Sequence, residues 1–306
     1  MNNVLRVILI IVGIFVGLAF LSVGIGLFVL ADAITSPLDM GEEDISGATG
    51  PRVAVVEVKD IISSSEDIIR QLKKYQKNKN VRAIVVRVES PGGGIAPSQE
   101  IYEEIKKIKD SGKPVIVSMG SLAASGGYYI SLGASKIFAN PGTLTGSIGV
   151  ILEYPNFNQL MDKVGINMTT IKSGKMKDAG SPFRKANEED QRYFQQLIDN
   201  GYEQFIEAVM LERKISRSEI IKLADGRVFT GKQAYENNLV DTLGTFEDAI
   251  LYAAKLGNIE GEPKILKEKK KQTFLDLMVS KIFGKPIGET AGILGSPNLQ
   301  YKFSIY

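Results

Sequence analysis

The chain has 306 residues, enough for one or two domains with a substantial core, and its 37 basic and 35 acidic side chains leave a net charge of +2. That balance provides no basic face for a nucleic acid. Histidine and cysteine are both absent, which rules out a Ser-His-Asp triad and a Cys-His pair and would restrict a zinc site to carboxylate ligands.

Residues 7–31 run for about 25 positions with no charge and one serine, long enough to cross a hydrocarbon core of roughly 30 Å. A cleavable signal peptide has a shorter apolar region, about 7 to 15 residues, and no small-x-small site follows at the right distance. The segment therefore reads as a retained transmembrane anchor. Arg6 precedes it, whereas Asp32, Asp39, Glu42, Glu43 and Asp44 follow it. The positive side stays inside, which predicts a cytoplasmic N-terminus at 1–6 and an extracytoplasmic body. Residues 32–51, with Pro37, Gly47, Gly50 and Pro51, read as a linker.

From residue 52 apolar strand-like runs alternate with helical patterns: a strand at 53–58, a helix through 68–75, a strand at 81–88, a helix carrying Ile101, Ile105 and Ile108, and a strand at 115–118. This βαβ rhythm predicts an α/β fold with parallel strands, its site in loops at their carboxyl ends. Two such loops follow, Glu89-Ser90-Pro91-Gly92-Gly93-Gly94 and Met119-Gly120-Ser121 leading to Ser125. A long packing helix is expected over 187–213, with Phe194, Ile198, Phe205 and Val209 on one stripe. Shorter helices are expected through Ile220 and Ile221 and over 246–253. The folded body that begins at 52 ends near 262. The tail, 263–306, opens on a basic run and closes on Leu299-Gln300-Tyr301-Lys302-Phe303-Ser304-Ile305-Tyr306, whose alternation suits an added edge strand.

Ser125 sits between alanines and glycines where a strand should turn into a helix, so backbone can approach a substrate closely and helix N–H groups can face an oxyanion. The glycine run at 92–94 can supply a second donor. Gly93 and Gly126 are the candidates for the pair. The same run lacks the Walker lysine and the spacing of a dinucleotide fingerprint, which argues against a phosphate cradle. Without histidine, the base for a serine nucleophile has to be a lysine acting as the neutral amine. Lys172, Lys175, Lys177 and Lys185 cluster in one irregular loop, and spacing does not choose among them.

Five ordered motifs carry a resemblance over 53–244. They are Val88-Glu89-Ser90-Pro91-Gly92-Gly93-Gly94, Ser118-Met119-Gly120-Ser121-Leu122-Ala123-Ala124-Ser125-Gly126-Gly127-Tyr128-Tyr129, Leu144-Thr145-Gly146-Ser147-Ile148-Gly149-Val150, Ile171-Lys172-Ser173-Gly174 with Lys177-Asp178, and Ala224-Asp225-Gly226-Arg227-Val228-Phe229-Thr230-Gly231. The chain resembles the half-length signal peptide peptidases of the SppA type, membrane-anchored serine proteases with a Ser-Lys dyad on a ClpP/crotonase-like fold. That resemblance implies Ser125 as nucleophile, Lys177 as general base, Ser147 as the hydroxyl that orients the lysine, and Gly93 and Gly126 as the oxyanion hole. Lys177 is chosen because the family pattern has a lysine immediately before an aspartate, which Lys172 and Lys175 lack.

The resemblance further implies no metal or organic cofactor, a homo-oligomeric ring or dome with the tail as one oligomer-associated element, a dyad completed across subunits in some members, and apolar signal peptides left in the membrane as substrates. Two other readings stand beside it: a ClpP-class membrane protease acting on another membrane protein such as a stomatin-like partner, and a non-catalytic oligomeric membrane scaffold. A crotonase-type acyl-CoA enzyme is disfavoured by the anchor and by a serine at the nucleophile position.

Overall fold

The structure is a computed structural model that describes residues 21, 24, 37–38, 42–44, 50–268, 272–273 and 300–302. Of the expected anchor, only Leu21 and Gly24 fall among them, both helical. Among the described residues no helix is long and apolar enough to cross a membrane. The chain divides into two units, one of residues 43–268 with 295–306 and the other of 1–42 with 269–294. In the latter, Pro37–Leu38 pairs antiparallel with Gln272–Thr273.

The larger unit is a mixed α/β body. Its strands and helices begin β1 (Arg52–Ile62), α1 (Glu66–Lys77), β2 (Val81–Gly94), α2 (Ile95–Asp110), β3 (Val115–Ala124), α3 (Gly126–Ser131) and β4 (Lys136–Ala139). These four strands lie side by side in chain order, all parallel, with a helix in each crossover. Then come β5 (Leu144–Gly146), α4 (Asn158–Val164), α5 (Glu188–Arg213), α6 (Arg217–Leu223), β6 (Val228–Thr230), α7 (Gly231–Glu236), β7 (Thr242–Leu243), α8 (Phe246–Leu256), β8 (Lys264–Glu268) and β9 (Gln300–Lys302). The strand β8 adds in parallel beyond β1, and β7 in parallel beyond β4.

The central strands read as continuous apolar runs because both sheet faces are buried. In β1, Ala54, Val56 and Val58 join one cluster with Leu72, Ile101, Tyr128 and Phe205 from the crossover helices and α5, while Val53 and Val55 face Ala249, Ile250 and Ala253 of α8. The two-residue period of the strand splits a uniform run into two cores.

The strands expected to stop at residues 88 and 118 do not stop there. Their ladders pass through irregularities between Lys59 and Ile61 and between Val88 and Ser90, after which Ile62 pairs Gly93 and Ser90 pairs Ala123. Bulges of this kind bend the strand and add twist. The carboxylate of Glu89 accepts the N–H groups of Ser121 (2.8 Å) and Leu122 (3.3 Å), which holds the two extended segments together. The expected loops at 89–94 and 119–121 are therefore strand. The tip of β3 also changes neighbours, pairing β4 at 116–119 and β5 at 122–124.

The long helix begins one residue after Asn187, whose side chain accepts the Asp190 N–H while Asp190 accepts the Asn187 N–H in return. This capping box fixes the start. The expected apolar stripe divides in two: Phe205 and Val209 enter the core, whereas Phe194 packs outside it, against Tyr154 at 5.4 Å and beneath Gly180. Finally, β9 lies antiparallel on β2, with Gln300, Tyr301 and Lys302 opposite Gly94, Gly93 and Gly92. The edge strand expected in the tail is present, and its partner is the glycine segment.

Candidate active site

Ser125 occupies the one-residue junction between β3 and α3 with φ 55° and ψ −114°, a region that L-residues visit at a cost of about 1–3 kcal/mol. Two backbone bonds enforce it: the Ser125 N–H donates to the Gly146 carbonyl at 2.7 Å, and the Ser125 carbonyl accepts the Tyr129 N–H at 2.8 Å. Ser125 is 1% exposed, and among the described residues its Oγ has no hydrogen-bond partner. A buried hydroxyl left unpaired costs about 1–3 kcal/mol. Strain and an orphaned nucleophilic atom thus coincide at one residue.

Both glycine candidates are pressed against this point. A Cβ on Gly126 would lie 2.7 Å from Ser98 Oγ and 3.1 Å from both Gly92 Cα and Gly93 N, and a Cβ on Gly93 would lie 2.2 Å from the Ile62 carbonyl oxygen. Neither position has room for a side chain. The backbone nitrogen of Gly93 is therefore brought up to Gly126. Ser90 and Ser98 hold the glycine run from either side. The Ser90 hydroxyl donates to the Asp60 carbonyl and accepts the Gly92 N–H at 3.1 Å, and Ser98 Oγ donates to the Gly94 carbonyl at 2.8 Å. Nothing in the sequence signals these supports: Ser90 stands in a motif without a role of its own, and Ser98 is not singled out.

Ser147 follows directly on Gly146, the residue that receives the Ser125 N–H. It too has a positive φ, 50°, is 6% exposed, and donates its N–H to the Arg227 carbonyl at 2.8 Å. Gly146 itself has φ 79° and faces the Phe229 ring, which a Cβ would meet at 2.6 Å. Ser125, Ser147, Gly93 and Gly126 accordingly share one neighbourhood built from the tips of β2, β3 and β5.

Lys177 stands apart from this cluster. It lies exposed in a single 3-10 turn, Lys175–Asp178, and its amine forms no hydrogen bond or ion pair among the described residues, with Ser125 and Ser147 included. The other loop lysines differ. Lys172 binds the Asp178 carboxylate at 2.5 Å and the Lys175 carbonyl at 2.9 Å, while Lys175 pairs with Glu189. Among the described residues Lys177 and Lys185 are left with free amines.

The turn is anchored by a chain of charges that sequence reasoning missed. Arg184 grips buried Asp190 through both terminal nitrogens and also reaches Asp178 at 3.1 Å. The Arg184 guanidinium, with help from the Asn187 N–H, holds the Asp190 carboxyl down at about 2. Lys172 and Arg184 together lower Asp178 below the ordinary carboxylate value. The capping-box spacing Asn187-x-x-Asp190 was the available signal for one end of this chain.

The model of peptidase family S49 matches residues 107–260, and that of the Clp protease matches 53–143. A putative protease of Synechocystis sp. is 43% identical over 215 residues, which cover 70% of this chain and 77% of that protein. A putative signal peptide peptidase SppA of Enterococcus faecium is 44% identical over 185 residues, 60% of this chain and 54% of that one. Protease 4 of Haemophilus influenzae is 37% identical over 216 residues but only 35% of its length is matched. The chain thus spans about half of the second relative and about a third of the last. The matched region contains the whole strand-to-helix junction at Ser125, and the chain belongs to peptidase family S49, a serine protease on a ClpP-like α/β fold.

Proposed function

We propose that this chain is an endopeptidase that the 7–31 segment anchors in the membrane, body outward, and that it degrades signal peptides left there after precursor processing. Ser125 is the nucleophile, Lys177 the general base and Ser147 the hydroxyl that orients the lysine, with the N–H groups of Gly93 and Gly126 as oxyanion hole. The observation that carries the reading is the buried, unpaired Ser125 hydroxyl beside two glycines with no room for a side chain.

Neutral Lys177 takes the Ser125 proton as Oγ attacks the scissile carbonyl carbon, and the carbonyl oxygen becomes an anion between the two N–H groups. The C–N bond then breaks, and the leaving amine takes the proton from the lysine ammonium. Water, giving a proton to the same lysine, attacks the ester; the acid leaves and Ser125 regains its hydrogen. An extended peptide as substrate is supported by β9, since the Gly92–Gly94 edge already accepts an antiparallel strand.

Assembly enters through the segment that bears the base. No residue of α4 is buried, and Leu160, Val164, Ile166, Met168 and Ile171 are all more than half exposed, Ile171 at 96%. An apolar arm of this extent fits a protein interface. With the Lys177 amine free in the turn that follows that arm and the Ser125 hydroxyl free in the body, among the described residues, docking of a second copy completes the dyad across subunits.

The test is turnover of an apolar fluorogenic peptide by the full chain in detergent. Ser125→Ala and Lys177→Ala are expected to abolish it, while Lys175→Ala and Lys185→Ala retain it. Loss in Lys185→Ala with retention in Lys177→Ala would move the base to Lys185. Absence of turnover in the assembled wild type would favour the scaffold reading.

A further inference from the structure

We propose that Arg184 is a positioning residue for the base: it ties the Lys177 turn to the N-terminus of α5 and takes up, with Lys172, the carboxylate charge of the adjacent Asp178. This inference rests on Lys177 as the base.

The loop has almost no apolar packing to hold it. From 158 to 175 no residue is buried, and only Gly180 is buried between there and Asp190. Its shape instead depends on polar ties that converge on Arg184. Nη1 and Nη2 reach Asp190 Oδ2 at 2.5 Å and Oδ1 at 2.9 Å, and Nη2 reaches Asp178 Oδ1 at 3.1 Å. Asp190 is 1% exposed and is itself locked by the capping box with Asn187. The Arg184 carbonyl accepts Asn156 Nδ2 at 3.0 Å, which draws in the strand of chain before α4. A bidentate guanidinium between two carboxylates has a defined orientation that a point charge cannot reproduce. The rigid end of α5 is thereby passed on, through one side chain, to the residue next to Lys177.

Charge is the second consequence. Asp178 is the carboxylate nearest in sequence to Lys177, and a free carboxylate there would favour the ammonium form, the inactive one for a base. Two cations occupy it instead, Lys172 and Arg184. The other charged groups of the loop and of the start of the helix beneath are engaged elsewhere or exposed: Lys175 pairs with Glu189, Glu188 with Arg192, Asp162 and Lys163 are exposed, and Lys185 is exposed and unpaired among the described residues. Removing Arg184 leaves Asp178 with Lys172 as its one described partner and takes one positive charge away from the turn that carries Lys177.

The two consequences separate experimentally. With the full chain in detergent and an apolar fluorogenic peptide, Arg184→Gln is expected to lower kcat about tenfold with KM little changed, as misplacement of a catalytic group does. It should also move the alkaline midpoint of the kcat profile upward by about one unit. Arg184→Lys keeps the charge and loses the fork, so kcat falls while the midpoint stays. Adding Asp178→Asn to Arg184→Gln returns the midpoint to the wild-type position without restoring kcat. A wild-type kcat and midpoint in Arg184→Gln would overturn the proposal, as would a midpoint shift in Arg184→Lys equal to that in Arg184→Gln. Should Arg184→Gln not fold, Arg184→Lys decides alone: a lowered kcat at the wild-type midpoint supports the proposal, and a wild-type kcat overturns it. Lys177→Ala is run in parallel: turnover surviving in it means the base assignment has failed, whereas its loss with an unaffected Arg184→Gln means that only this inference has.

Discussion

On the proposed mechanism the Ser125 hydroxyl owes its reactivity to what its neighbours lack. Alanines and glycines on both sides leave room for the left-handed turn, for the Gly93 backbone and for a substrate carbonyl. Gly126→Ala is therefore predicted to be severe for chemistry and mild for folding. Its Cβ would push on Ser98 Oγ and on the Gly92–Gly93 backbone, and displacing one oxyanion donor costs about 100- to 1000-fold in kcat. Peptide turnover measured beside thermal unfolding checks this; unchanged kcat in the folded variant would remove Gly126 from the site. The small residues around Ser125 marked the strand-to-helix junction in the sequence, although Ala-Ala-Ser-Gly-Gly taken alone suits tight helix packing or a flexible joint equally well. The base was not legible in that way. Four lysines shared one loop, and the family pattern, rather than spacing, singled out Lys177. The Arg184–Asp190 grip lay hidden because ion pairs between irregular loop residues follow no period that a sequence displays.

At the scale of elements, the alternating helices and strands were readable because each central strand is a short apolar run between punctuating turns. What periodicity did not show was where β2 and β3 end. Glycine and proline at 91–94 signal a loop, yet Ile61, Ile62 and the C-terminal strand pair with this segment and keep it extended. The first half of α5 misled in the opposite direction: Phe194 keeps the stripe's phase but meets Tyr154 and Gly180 instead of the core. The placement of β9 has a functional consequence. A strand lying on Gly92–Gly94 competes with any peptide that adds to the same edge. Truncation after Leu294 is predicted to lower KM for peptide several-fold with kcat largely retained, read from initial rates over a range of peptide concentrations. A KM that does not fall would mean that peptides bind elsewhere.

At the scale of the molecule, the body is well packed, and the arm from 157 to 171 is its unburied apolar face among the described residues. A charge placed there is cheap in the separate chain and costly in an interface. Ile171→Asp is thus predicted to leave the thermal unfolding of the body nearly unchanged, to dissociate the assembly in light scattering and to abolish peptide turnover. Turnover retained by a dissociated chain would show that one copy holds a complete dyad. Anchoring and assembly belong to the proposal, and the fold of the body does not carry them. The anchor was read from 25 apolar residues near the N-terminus, and the assembly from family resemblance, to which the exposed arm adds a physical reason.

The central claim is that Ser125 attacks as a nucleophile whose proton is taken by Lys177. Its most direct measurement is labelling of the full chain by a fluorophosphonate, with the adduct located by mass spectrometry across a pH series. The account predicts one adduct, on Ser125, forming faster toward alkaline pH and lost in Lys177→Ala. An adduct on another residue, or labelling of Ser125 that neither depends on pH nor requires Lys177, would contradict it.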